Sequence, residues 1–158
     1  MLAVFDIDGV VADVRHRVHH LHRAPGGHRS WQRFFAEADA DPPLAEGLAL
    51  VRDLAARHEV VWLTGRPEWL RSITADWLQR HELPGDELHM RRNGDFRPAR
   101  DYKLTVLRAL ERRGIAAFVD DDGEVIAAAL ASGYPAVLAD WVPRDADLRD
   151  AQDRLGRT

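Results

Sequence analysis

The chain has 158 residues, of which 46% are hydrophobic and 30% are charged, and this composition is typical of one globular domain. A formal net charge of −4 argues against a long nonspecific nucleic-acid tract, and no apolar run approaches the ~20 residues of a membrane span. The absence of cysteine excludes disulfides, thiolate metal sites and thiol catalysis. Because the N-terminus also lacks a basic segment and a cleavage site, we expect a cytoplasmic protein without a signal peptide or a membrane association.

Apolar runs that alternate with amphipathic segments predict the secondary structure. Strands are expected at residues 2–5, 60–63, 87–90, 115–119 and 135–139, and helices at 44–58, 69–81, 101–113, 125–132 and 145–155. Pro67 stands where a helix would begin. This alternation implies one domain over residues 1–158, with a parallel five-stranded sheet in a three-layer α/β/α sandwich of Rossmann-like type.

The long segment between the first strand and the first helix is polar and irregular. We interpret residues 11–43 as a flap and a small helical cap over the end of the first strand. Trp31, Phe34 and Phe35 have helical spacing and are expected to form a local core. His16 and His20 are four residues apart, so a helical metal site is an alternative, but no acid or cysteine completes it.

A pair of carboxylates follows the first strand directly. Leu2 to Phe5 is an unbroken apolar run, typical of a strand buried on both faces. Asp6 and Asp8 come next, and alternation in an extended segment places both on the same side. Two adjacent acids repel each other and disfavour ionisation unless a cation is present. A divalent metal ion would remove this cost, because hard cations prefer oxygen ligands; a simple acidic turn is the alternative.

Other polar residues fall where later strands end. Thr64 follows the second strand, and Asp120 and Asp121 follow the fourth. Ligands of open α/β sheets bind at the carboxyl ends of the strands, so these residues are expected to share one site with Asp6 and Asp8. Asp121 and Glu124 also have the spacing of a capping box, so Asp121 is alternatively the N-cap of the next helix.

Residues 89–103 form a basic segment in an otherwise acidic chain. Five basic residues stand there against two aspartates, a local charge of +3, which predicts a loop that faces an anion. Arg91, Arg92 and Arg100 are expected to be solvated. Lys103 is the one lysine among 22 basic residues, which indicates a position that needs a compact ammonium and not a planar guanidinium.

Taken together, these motifs resemble the haloacid dehalogenase (HAD) superfamily of phosphotransferases. The segments FDIDGV, WLTGR, DYK and VDDDG stand in the order of the four motifs of that superfamily. In spacing, the chain is most similar to the 3′-phosphatase domain of phage-type polynucleotide kinase. Arg17 lies nine residues after Asp8, and Arg97 lies six residues before Lys103. The chain departs from the pattern at Val10, where many relatives have threonine, and it lacks a kinase half and its G-x-x-x-x-G-K-[ST] motif.

The resemblance implies a HAD-like fold and a Mg²⁺-dependent phosphomonoesterase that acts through an aspartyl-phosphate. The implied catalytic residues are Asp6 as nucleophile, Asp8 as general acid and base, Thr64 and Lys103. The implied substrate ligands are Arg17, Arg66 and Arg97. The implied metal ligands are Asp6, the backbone carbonyl of Asp8, Asp120 and Asp121, with which of the last two binds directly left open.

The substrate implied by the resemblance is a phosphate at the 3′ end of a nucleic acid. A nucleotidase or a small-metabolite phosphatase is the alternative, since an acidic chain with a small cap suits it equally. A catalytically silent phosphate-binding module on the same fold is the alternative outside enzymes. Whether a separate kinase is a partner stays open.

Overall fold

The computed structural model describes residues 1–22 and 28–143. The predicted helix at 145–155 lies outside these residues. The strands are β1 (Leu2–Phe5), β2 (Glu59–Pro67), β3 (Glu87–Arg91), β4 (Ile115–Asp120) and β5 (Ala136–Leu138). The helices are α1 (His19–His22), α2 (His28–Ala36), α3 (Ala45–Ala55), α4 (Arg71–Arg80), α5 (Ala99–Leu110) and α6 (Gly123–Ala131). None of the helices described is long and apolar enough to span a membrane.

All five strands are parallel and form one sheet in the order β3-β2-β1-β4-β5, which confirms the predicted fold class. β1 lies at the centre, with Val4 paired to Val61 on one side and to Phe118 on the other. The chain proceeds from β1 toward one edge through β2 and β3, and it returns to the other side for β4 and β5. The carboxyl end of β1 is therefore the switch point at which ligands of such sheets bind.

Alternating residues of the central strands fill two separate cores. Val4 and Leu63 pack on one face of the sheet beneath α5 and α6, and Phe5 and Trp62 pack on the other face beneath α3 and α4. This arrangement gives the three predicted layers. Both faces of β1 are covered, so its side chains are fully buried and hold the end of the strand in a fixed position.

A third core lies in the segment between β1 and α3. Trp31, Phe34 and Phe35 are buried against one another, with ring centroids 5.3–5.5 Å apart. They pack with residues of α1 and with Leu70 and Met90 from the main body. The two ends of the segment are joined, because Asp13 N–H donates to the carbonyl of Pro42 at 2.8 Å. The aromatic patch is thus local core, as its spacing predicted.

The second strand is longer than the apolar run predicted. β2 continues through Thr64 to Pro67, and α4 begins only at Arg71 after a single 3₁₀ turn at Glu68–Leu70. Pro67 is extended, with ψ of 149°, so the prediction that it begins a helix is wrong. The reason is the neighbouring strand: Met90 and Arg91 of β3 pair with Thr64 and Pro67, and this pairing carries β2 beyond the end of β1.

Gly47 of α3 provides a test of how tightly the helical layer packs on the chain that follows the carboxylate pair. A Cβ at this position would lie 1.9 Å from the carbonyl oxygen of Val10. We expect Gly47→Ala to reduce the free energy of unfolding by more than about 2 kcal/mol, although alanine favours helix by about 1 kcal/mol. Gly123→Ala in α6 is the matched control, because nothing lies within 4 Å of its Cβ position. Equal stabilities of the two variants in urea unfolding would contradict the close packing.

Candidate active site

Lys103 joins two buried carboxylates at the carboxyl edge of the sheet. Its Nζ lies 2.6 Å from Oδ2 of Asp6 and 2.6 Å from Oδ2 of Asp120. Asp6 follows β1, Asp120 ends β4, and Lys103 reaches them from α5. The other oxygen of Asp6 accepts a hydrogen bond from the backbone N–H of Ile7 at 2.7 Å. Both oxygens of Asp6 are therefore held, and the carboxylate has one fixed orientation.

This arrangement raises the pKa values of both Lys103 and Asp120. Burial lowers the pKa of Lys103, but Asp120 and Asp6 outweigh burial and raise it, so the ammonium stays charged. Burial raises the pKa of Asp120 to about 7 in spite of Lys103, and the charge of Asp6 adds to the effect. One ammonium does not fully compensate two buried carboxylates.

A third carboxylate completes an acidic group next to this pair. Single oxygens of Asp6, Asp120 and Asp121 all lie within 4.8 Å of one another. Gly9 makes room for Asp121: its φ is +74°, and a Cβ there would lie 2.3 Å from Oδ2 of Asp121. The glycine after the carboxylate pair thus serves both a turn and a close approach. Three carboxylates suit a hard divalent cation such as Mg²⁺, and in the part of the chain described here no other such group of three is present.

The N-cap of α6 is not Asp121. Asp122 occupies that position, and its Oδ1 accepts hydrogen bonds from the N–H groups of Glu124 and Val125 at 2.9 and 3.3 Å. The capping box inferred from Asp121 and Glu124 is therefore wrong by one residue. Asp121 is placed in the acidic group instead.

The side chain of Asp8 contacts two buried arginines. Its Oδ1 accepts hydrogen bonds from Nη2 and Nε of Arg66 at 2.6 and 2.9 Å and from Nη2 of Arg17 at 3.0 Å. Burial alone would raise the pKa of Asp8, but Arg66 and Arg17 outweigh burial and hold it below its ordinary value. The side chain of Asp8 stays 13% exposed, whereas both guanidinium groups are fully buried.

Asp41 belongs to the same charge cluster, and the sequence did not reveal it. Its carboxylate binds Arg17 through two parallel hydrogen bonds of 2.7 and 2.8 Å and accepts another from Arg66 at 2.7 Å. His16 Nε2 lies 2.8 Å from its Oδ1. The signal that could have revealed Asp41 is charge balance. Two buried arginines need more than the single carboxylate of Asp8, so another acid had to be nearby.

Two predicted residues remain, Thr64 and Arg97, and the structure places them differently. Thr64 is buried three residues before the end of β2, and its hydroxyl accepts a hydrogen bond from the N–H of Arg66 at 3.2 Å. Arg97 is half-exposed and binds Asp95 at 2.7 Å and Thr105 at 3.2 Å. The described contacts do not bring it to the arginines around Asp8, so its role stays a prediction.

The expectation that Arg91 is solvated, like Arg92 and Arg100, is wrong. Only 3% of the surface of Arg91 is exposed. It is the last residue of β3, and its guanidinium turns inward over the ring of Tyr102, 4.9 Å from the centroid. Pairing of β3 with the extended end of β2 fixes this inward position. The two other arginines are exposed, as predicted.

No protein-family model and no curated protein matches the sequence. Solved structures do match. A chain of the Pnkp1/Rnl/Hen1 complex has a TM-score of 0.70 at 20% identity; 87% of this chain and 44% of that chain are covered. A haloacid dehalogenase-like hydrolase of Streptococcus pneumoniae has a TM-score of 0.60 at 14% identity, with 97% and 91% covered. The class C acid phosphatase of Bacillus anthracis with tungstate bound has a TM-score of 0.59 at 14% identity, and 95% of this chain and 77% of that chain are covered.

At these identities the likeness shows the fold, which is HAD-like, as the motifs implied. This chain spans less than half the length of the chain that it matches in the repair complex.

The raised pKa of Asp120 predicts how stability depends on pH. A carboxyl group whose pKa is higher in the folded state stabilises the fold at low pH, and this contribution is lost as the pH rises through about 7. In EDTA we expect the free energy of unfolding to fall between pH 5 and pH 8, with a contribution from Asp120 on the order of 3 kcal/mol. Asp120→Asn cannot titrate and should lack that part of the change. Identical pH profiles for the two proteins in urea unfolding would contradict this assignment.

Proposed function

We propose that this chain is a Mg²⁺-dependent phosphomonoesterase that acts through an aspartyl-phosphate on Asp6. The observation that carries the proposal is the fixed carboxylate of Asp6, held by Lys103 and by the N–H of Ile7 at the switch point of the sheet. A carboxylate that is held in one orientation by an ammonium and a backbone N–H is suited to attack phosphorus. The HAD-like fold, shared with a class C acid phosphatase, supports the same chemistry.

In the first step an oxygen of Asp6 forms a bond to phosphorus, and the bond from phosphorus to the substrate oxygen breaks. Asp8 donates a proton to that departing oxygen, so the product leaves as an alcohol. In the second step Asp8 takes a proton from water, the water oxygen bonds to phosphorus, and the bond to Asp6 breaks. Inorganic phosphate is released, Asp6 is again a carboxylate, and Asp8 is again protonated. Asp8 takes this proton from solvent when substrate binds and returns it to solvent when phosphate leaves.

Arg66 and Arg17 couple the protonation of Asp8 to the binding of substrate. In the free protein Arg66 and Arg17 hold Asp8 as a carboxylate. A phosphate that binds Arg66 draws donors away from Asp8 and places negative charge beside it, and both effects raise the pKa of Asp8. Substrate binding therefore favours the protonated acid that the first step needs. Thr64 and Lys103 bind phosphoryl oxygens, and Arg17 helps to orient Arg66 and the substrate.

Mg²⁺ would be held by Asp6, by the backbone carbonyl of Asp8 and by Asp120 or Asp121. When bound, it supplies charge stabilisation for the phosphoryl oxygens. The three carboxylates of the acidic group fit this ion because they crowd negative charge that Lys103 only partly offsets.

For the substrate we propose a phosphate at the 3′ end of a nucleic acid. The motif spacing favours it, and one of the structural neighbours belongs to an RNA repair complex. The proposal includes residues 11–43 as a cap that forms one wall of the site. A nucleotidase remains the competing enzyme, and a silent phosphate-binding module the competing binding protein.

The covalent mechanism is tested by Asp6→Asn. We expect turnover of p-nitrophenyl phosphate with Mg²⁺ to fall by at least about a thousandfold, or about 4 kcal/mol in the barrier, because an amide is not a nucleophile here. Asp53→Asn on the exposed face of α3 is the matched control and should keep full activity. Circular dichroism verifies folding. A folded Asp6→Asn protein with near wild-type turnover would exclude the aspartyl-phosphate, and inactivity of the wild type with every substrate would favour the binding module.

The substrate is tested by comparing kcat/KM for a 3′-phosphorylated oligonucleotide, its 5′-phosphorylated isomer, and 3′- and 5′-mononucleotides. We expect the 3′-phosphorylated oligonucleotide to be best by about tenfold or more, about 1.4 kcal/mol in transition-state binding. Its salt dependence should be shallow, because an end engages few phosphates. A tenfold advantage for the 5′-mononucleotides would establish the nucleotidase instead.

A further inference from the structure

We propose that Arg91 and Tyr102 form an anion subsite beside Asp6 that takes a phosphate oxygen of the substrate. This inference rests on the proposed function for the identity of the anion. It concerns two residues that neither the motif pattern nor the charge cluster around Asp8 includes.

The two side chains lie at the edge where the catalytic groups meet. Arg91 is the last residue of β3, at the same end of the sheet as Thr64, with which the preceding residue Met90 is paired. Tyr102 directly precedes Lys103 on α5. Lys103, the next residue along α5, contacts Asp6 at 2.6 Å. The two side chains therefore belong to the elements that carry Thr64 and Lys103 to the carboxyl edge of the sheet.

Arg91 is held from one side only. Its Nη1 donates to the backbone carbonyl of Arg97 at 2.6 Å and to that of Asp95 at 3.4 Å. Its Nε and Nη2 are buried, and so is the hydroxyl oxygen of Tyr102. Within residues 1–22 and 28–143 none of these three atoms has a hydrogen-bond partner. Nη1 fastens Arg91 to the loop that follows β3, while the other edge of the guanidinium and the nearby hydroxyl remain available as donors.

The charge of Arg91 is poorly compensated by the protein. Its carboxylate contact among the described residues is Asp95 at 4.0 Å, and that carboxylate already binds Arg97 at 2.7 Å. Burial lowers the pKa of Arg91 and raises that of Tyr102 to about 12, so the tyrosine keeps its proton as a donor. A buried cation without a close partner is costly, and an anion with oxygens in the plane of the guanidinium removes that cost.

Other arginines of the basic segment are already satisfied by carboxylates. Arg97 binds Asp95, and Arg100 binds Glu124 at 2.9 Å. Lys103 of the same segment is bound to Asp6 and Asp120, whereas Arg91 is buried without a close carboxylate. The anion-facing role predicted for the segment is thereby assigned to Arg91.

The subsite is tested with Arg91→Met, which removes the charge and keeps an unbranched side chain, and with Tyr102→Phe, which removes only the hydroxyl. Arg100→Met is the matched control on the exposed side of the same segment. The probes are inorganic phosphate and an unphosphorylated dinucleotide, each titrated calorimetrically into the Mg²⁺-loaded protein. Urea unfolding without either probe measures stability.

We expect Arg91→Met to weaken phosphate binding by at least about tenfold and Tyr102→Phe by about threefold, with Arg100→Met unchanged. Stability without phosphate should be equal or higher in Arg91→Met, because an apolar side chain replaces an uncompensated buried charge. If Arg91→Met lost binding of the dinucleotide but kept binding of phosphate, the subsite would be assigned to a flanking phosphodiester. The subsite would be overturned if Tyr102→Phe bound both probes with wild-type affinity and Arg91→Met did the same. It would also be overturned if Tyr102→Phe bound normally and Arg91→Met were less stable than the wild type without phosphate.

These measurements do not depend on turnover. If the wild type hydrolyses no phosphomonoester but binds phosphate through Arg91, the subsite stands and the proposed catalysis fails. If Asp6→Asn abolishes turnover while Arg91→Met and Tyr102→Phe bind both probes normally, catalysis stands and the subsite fails.

Discussion

The contact of one ammonium with two carboxylates is the constraint on which the rest of the site depends. Lys103 lies 2.6 Å from Asp6 and from Asp120, and it thereby ties α5 to the ends of two adjacent strands. Without this cation the carboxyl edge of β1 would hold only repelling charges, and the acidic group with Asp121 would not stay compact. The charge of Lys103 does not fully compensate the two carboxylates, since burial still raises the pKa of Asp120 to about 7. A site that holds excess negative charge in a rigid frame is prepared for a metal ion.

A second cluster of charges solves a different problem a few residues away. Arg17 and Arg66 would each be costly to bury, but Asp8 and Asp41 surround them with short hydrogen bonds. Asp8 thus serves as a counter-ion in the free protein, although the proposed reaction needs it as an acid. In the proposed reaction, the cluster around Lys103 fixes the nucleophile, and the cluster around Arg66 responds to the substrate.

The fold and the first cluster were accessible from sequence because their signals are local. An apolar run followed by Asp6 and Asp8 predicts a buried strand with carboxylates at its end, and strand–helix alternation predicts the parallel sheet that brings Asp120 to it. Asp41 and Arg91 were missed because their meaning comes from distant partners. Asp41 is 24 and 25 residues from the arginines that it binds, and Arg91 is buried only because β3 pairs with the unexpectedly long end of β2. The pattern of neighbouring residues in the sequence does not indicate such distant partners.

The position of Asp41 has a consequence for how the segment between β1 and α3 is held to the main body. Arg17 and Asp41 both belong to this segment, and they meet Asp8 and Arg66 of the main body in a region almost without water access. Swinging the segment outward would separate opposite charges in a low-dielectric interior, a process that costs several kcal/mol for each ion. The ion pairs Arg17–Asp8 and Arg66–Asp41 thus oppose outward movement of this segment from the main body.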